Sequence, residues 1–121
     1  MVSAADPDRA CWRICPRPWS THLACALSLV GPLICYEAIC PGEVVDQQDR
    51  PDSLVNITNG AWFGDSSGPH EHLEAARTRA VEEALPLLST TDTEITAAFD
   101  PRSHELAHLP HGAIQATSVS F

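Results

Sequence analysis

The sequence predicts an α/β, or layered α+β, domain, and three stretches carry that expectation. Leu33–Tyr36 reads as a short apolar strand that ends at a cysteine. Ser53–Asn59 is rich in β-branched residues and closes on Asn59-Gly60, a turn signal. His70–Leu85 sets Leu73, Ala76, Ala80 or Val81, and Ala84 or Leu85 at helical spacing. Strand and helix signals that alternate along one chain imply a sheet with helices packed on it.

In chain order, residues 1–20 hold three prolines, two tryptophans and two cysteines with no helical or strand period, and they read as irregular. Residues 1–28 form an unmatched N-terminal segment. The remainder, 29–121, is the part expected to fold as a domain. Residues 22–30 suit a helix or a strand equally, and Gly31-Pro32 is expected to break that run before the strand Leu33–Tyr36. Pro41-Gly42-Glu43 opens a predicted short helix to about Gln48, because proline and an acidic residue both favour a first turn. Arg50-Pro51-Asp52 stops it. Ala61–Pro69 is a loop whose Trp62 and Phe63 either form a binding surface or cover the edge of the core.

The helix that follows has Pro69 at its start and Ser67 or Gly68 as cap. Glu71, Glu74, Arg77, Arg79, Glu82 and Glu83 mostly fall on its solvated side, and Pro86 ends it. Leu87–Phe99 reads as two strands around Asp92-Thr93, Asp100–Ser103 as a turn, and His104–Leu109 as a last strand.

A chain of 121 residues is one domain or part of one. Its net charge of −9, with no basic stripe, excludes a nonspecific nucleic-acid binder. All seven basic residues are arginine, so the chain has no lysine. Five cysteines, an odd number at irregular spacing, argue against a disulfide scaffold and for a reducing compartment. The absence of an 18-residue apolar run predicts no transmembrane helix. Asp6, Asp8, Pro16 and Pro18 make a poor signal-peptide leader, so the chain expressed alone is expected to be cytoplasmic or unstable.

Three clusters could carry chemistry. Cys35 lies where a strand ends before a turn into a helix, a recurrent position for a nucleophile, and Glu37 follows two residues later. A buried structural cysteine is the competing reading. His104-Glu105-Leu106-Ala107-His108 is a literal H-E-x-x-H, which binds zinc only on a helix. Asp100-Pro101 and Pro110 flank it and favour a strand, so no metal is expected there. His70 and His72 read as polar residues of a solvated first helical turn.

A longer pattern joins these pieces. Gly31-Pro32-Leu33-Ile34-Cys35-Tyr36-Glu37-Ala38-Ile39 with Pro41 precedes Leu54-Val55-Asn56-Ile57-Thr58-Asn59 and Ala61-Trp62-Phe63-Gly64-Asp65-Ser66. Gly68-Pro69-His70, His72-Leu73, Ala76-Arg77 and Arg79-Ala80 follow, and Phe99-Asp100-Pro101 and Glu105-Leu106-Ala107 extend the match. The pattern resembles the nitrilase (carbon–nitrogen hydrolase) superfamily, within it the branch that acylates apolipoproteins, and there the C-terminal part of the catalytic domain.

The resemblance implies a partial αββα sandwich with Cys35 as nucleophile, Glu37 and Tyr36 in support, and Trp62 on a lipid-facing loop. It implies no cofactor and no metal. It implies a phospholipid acyl donor and a lipoprotein N-terminus as partners, at the bacterial inner membrane. Such enzymes use a Glu–Lys–Cys triad whose Glu and Lys precede the Cys, whereas here the first glutamate is Glu37 and lysine is absent. Gly60, Cys40 and Thr91–Glu94 also depart from the pattern. The chain is therefore expected to be a truncated copy, inactive by itself. A soluble amidase fragment and a non-catalytic remnant are the alternatives.

Overall fold

The computed structural model describes residues 23–25, 28–92, 95–110, 112 and 115–120. Residues 1–20, expected to be irregular, lie outside them. The described residues build one six-stranded sheet in chain order, from β1 (Leu23–Cys25) through β2 (Ser28–Ile34), β3 (Ser53–Thr58), β4 (Leu87–Thr91) and β5 (Thr96–Phe99) to β6 (Glu105–Leu109). β2, β3 and β4 run parallel, and the flanking pairs are antiparallel. The helix α1 (Gly68–Glu83) lies in the crossover from β3 to β4, as a parallel connection requires.

Registers Gly31↔Leu54, Leu54↔Leu87 and Leu87↔Phe99 put those residues on one face of the sheet. Leu33 joins them two residues on from Gly31. Leu33, Leu54, Leu87 and Phe99 are buried there with Leu73, Ala76 and Ala80 of α1. The other face is more open, with Ile34 and Ile57 both exposed. One sheet under one helix is the α/β class expected, and it amounts to half of an αββα sandwich.

Three local expectations need correction. Gly31-Pro32 does not break the chain, because β2 runs through both residues. β1 pairs only with Ser28–Val30, so Pro32 lies beyond its end, where a strand tolerates a missing N–H. A Cβ on Gly31 would come within 2.9 Å of Leu54 and Pro51, so the close approach there suits glycine.

Residues 41–48 form turns and no helix. Gly42 adopts a positive φ of 67°, and Asp46 draws the Gln48 amide onto its own carboxylate at 2.8 Å. That side-chain bond competes with the helical one. Val44 and Val45 are both buried, consecutive positions that a surface helix would turn about 100° apart.

Arg79 and Glu83, read as solvated, are buried at 7% and 5% exposure. The 41–52 segment packs beside the C-terminal end of α1. From it Gln47 Nε2 and Arg50 Nη1 donate to the Glu83 carboxylate at 3.0 and 3.2 Å. Arg50 Nη2 donates to the Glu83 carbonyl as well. Helix α1 closes on Ala84, which takes a left-handed φ of 52°, a conformation usually given to glycine.

Candidate active site

The parallel strands β2, β3 and β4 all point their C-terminal ends to one edge, where open α/β sheets bind ligands. β2 ends at Ile34, and the next residue is Cys35 with φ 51°. Such a conformation costs a non-glycine residue about 1–2 kcal/mol and forces a sharp change of direction. A five-residue 3₁₀ turn, Cys35–Ile39, follows. The expected strand and turn around Cys35 are therefore present, but the element after them is too short to act as a helix end.

Glu37 closes this elbow. Its Oε2 accepts from the Ile34 amide at 2.7 Å, and its carbonyl accepts from the Cys40 amide at 3.3 Å. A carboxylate–amide bond in a partly exposed setting contributes about 1–2 kcal/mol, enough to offset the strain at Cys35. Cys35 is a partly exposed free thiol. Cys40 is buried and disulfide-bonded, which the irregular cysteine spacing did not predict.

A cleft of about 210 Å³ opens beside the elbow, lined by Tyr36, Ile39, Phe63, Gly68, Glu71 and His72. Three rings form one wall. Tyr36 lies 6.2 Å from Phe63 and edge-on to His72 at 6.1 Å, and Phe63 lies 5.8 Å from His72. Gly68 abuts the Phe63 ring so closely that a Cβ there would collide with it.

Phe63 follows the 3₁₀ turn Gly60–Trp62 that caps β3. That turn is held by the Asn59 side chain, which accepts from the Ala61 amide at 3.0 Å. Asp92, at the end of β4, accepts from the Gly60 amide at 2.9 Å. Phe63 lines the cleft while Trp62 projects outward, 85% exposed.

Sequence reasoning overlooked His72. It is 5% exposed, and its Nε2 donates to the Cys35 carbonyl at 2.9 Å. A carbonyl can only accept, so Nε2 carries the proton. The signal was its phase, since position 72 shares a helical face with Ala76, Ala80 and Glu83. His70, two residues earlier, is exposed.

Glu105–Leu109 is a strand, and His104 immediately precedes it, so His104 and His108 lie roughly 13 Å apart at strand rise and not on one helical face. His104 Nδ1 instead pairs with Asp100 at 2.8 Å, and His108 Nδ1 with Glu105 at 3.5 Å. Among the described residues no cluster of three metal-ligating side chains exists.

The structure is thus of the α/β class, with a partly exposed cysteine at the turn that ends a parallel strand, beside an aromatic-walled cleft. Within that class the family model for carbon-nitrogen hydrolase matches residues 13–118, and the chain belongs to that family. It is 53% identical over 81 residues to the apolipoprotein N-acyltransferase of Bradyrhizobium diazoefficiens, covering 67% of this chain and 15% of that one. It is 46% identical over 72 residues to the apolipoprotein N-acyltransferase of Rickettsia prowazekii, covering 60% and 14%. The chain thus spans about 15% of the length of the curated relatives it matches.

Among solved structures, an amidase from Nesterenkonia sp. AN1 superposes with a TM-score of 0.57 at 16% identity. The match covers 78% of this chain and 40% of the amidase, which carries acrylamide added at its active-site cysteine. That likeness establishes the fold. Among the described residues no helix is long and apolar enough to cross a membrane.

Proposed function

We propose that this chain is the nucleophile-bearing segment of an apolipoprotein N-acyltransferase. The observation that supports it best is the free Cys35 thiol on its strained elbow beside an aromatic cleft, in a stretch 53% identical to such a protein. The Cys35 thiolate attacks the ester carbonyl of a phospholipid, and the lysophospholipid leaves with a proton. The resulting thioester is attacked by the N-terminal amine of a lipidated cysteine, which forms an amide and returns the thiol.

Glu37 holds the elbow through the Ile34 amide. Tyr36 lines the acyl cleft, and the exposed Trp62 meets lipid at the membrane surface. The glutamate and lysine that the family places before the cysteine are not in this sequence, whose first glutamate is Glu37 and which has no lysine, so the thiolate lacks its base and its positive neighbour. By itself the chain is therefore inactive, and the base comes from outside it. Loss of a base typically lowers rates by about 10²–10⁴-fold.

The test is a chimera in which residues 29–109 replace the matching segment of the Bradyrhizobium relative. Incubation with phosphatidylethanolamine should yield a hydroxylamine-labile acyl adduct that Cys35→Ala abolishes. The 121-residue chain alone should yield none. A folded chimera without adduct would refute the reading. The likeness to the amidase supports a second reading, in which the same chimera releases ammonia from short amides and takes no acyl chain from phospholipid.

A further inference from the structure

We propose that His72 is a positioning residue for Cys35, holding the nucleophile's backbone in its strained conformation through the Nε2–H bond to the Cys35 carbonyl. The proposal rests on the reading of Cys35 as nucleophile. Four observations carry it. The bond is 2.9 Å long and joins residues 37 apart in sequence, so it ties α1 to the elbow. His72 is 5% exposed, so water competes poorly for that bond. Its ring is packed against Tyr36 and Phe63, which fixes the imidazole plane. The residue it holds is Cys35, at φ 51°.

The same geometry fixes what Nε2 does. While Nε2 donates to the carbonyl of Cys35, that nitrogen has no lone pair with which to take the thiol proton. Nε2 is therefore not the acceptor of the thiol proton. It acts on the peptide unit of the nucleophile, and through that unit on where the sulfur is presented.

Two measurements test this. The first is the rate of Cys35 carboxamidomethylation by iodoacetamide in the 121-residue chain, followed by peptide mass with thermal unfolding in parallel. His72→Phe keeps a ring in the aromatic cluster but removes the donor, and Cys35 should react about fivefold more slowly, the factor expected for one lost hydrogen bond. His72→Gln restores a donor at similar reach and should react within about twofold of the parent. Equal rates in the parent and His72→Phe overturn the proposal, as do Phe and Gln variants slowed alike.

The second measurement needs no variant. Nitrogen NMR of the parent should find the Nε2–H tautomer of His72, and an Nδ1–H tautomer overturns the proposal. Neither measurement uses phospholipid. A chimera that forms no acyl adduct, together with a slowed and Gln-rescued His72→Phe, would sink the acyltransferase reading and leave the positioning role standing.

Discussion

Arg50 and Glu83 make an asymmetric ion pair, and the asymmetry gives a sharp prediction. The side chain of Glu83 is 4% exposed, whereas that of Arg50 is 35% exposed. Arg50→Met keeps the aliphatic stem but leaves a buried carboxylate with the Gln47 amide as its remaining described donor. It also removes the bonds from Arg50 to the Glu83 carbonyl and to Gln47 Oε1. Breaking a fully buried pair costs about 3–5 kcal/mol; with one partner a third exposed, about 2–3 kcal/mol is expected.

Glu83→Gln leaves a guanidinium that is a third exposed and that water can reach, and it should cost only about 1 kcal/mol. Urea denaturation resolves the difference. The Arg50→Met midpoint should fall by roughly 1–2 M and that of Glu83→Gln by less than about 1 M, with m unchanged. The double variant should be no less stable than Arg50→Met alone. A Glu83→Gln cost equal to or above that of Arg50→Met would refute the argument, because burial would then not decide which partner matters. The pair also bears on the site, since it anchors the end of α1 opposite His72.

Gly68→Ala should push Phe63 out of its place. Near-ultraviolet circular dichroism of the Tyr36 region should change, with a stability loss of about 1–3 kcal/mol. Ala84→Gly relieves the left-handed C-cap and should raise the thermal midpoint by about 4 °C, for about 1 kcal/mol. Asp100 is subject to desolvation, which raises its pKa. Bonds from the His104 amide, the His104 ring and the Arg102 amide, with the His104 charge, outweigh it and hold the carboxyl below the usual 3.8. A depressed acid stabilises the fold above its unfolded value and loses that contribution as pH falls through its native value. Asp100→Asn should therefore lower stability near pH 7, where that contribution is fully present, and flatten the stability curve below about pH 4, where the parent loses it, as read by urea midpoints across pH.

Much of this protein is decided locally. Ser53–Thr58 becomes a strand because β-branched residues alternate there, and Gly68–Glu83 becomes a helix because Leu73, Ala76 and Ala80 repeat at helical spacing. The cysteine at the end of β2, the family pattern and the lack of lysine are likewise properties of the sequence. What periodicity cannot carry is the identity of the polar groups that meet. His72 reads as a solvated first-turn residue until the elbow 37 positions earlier supplies a carbonyl. Glu83 reads as surface until Arg50, 33 positions earlier, is folded over it. For His72 and Glu83 the energy comes from contacts distant in sequence, and a local preference of a few tenths of a kcal/mol per residue yields to a buried hydrogen bond or ion pair of about 1–3 kcal/mol.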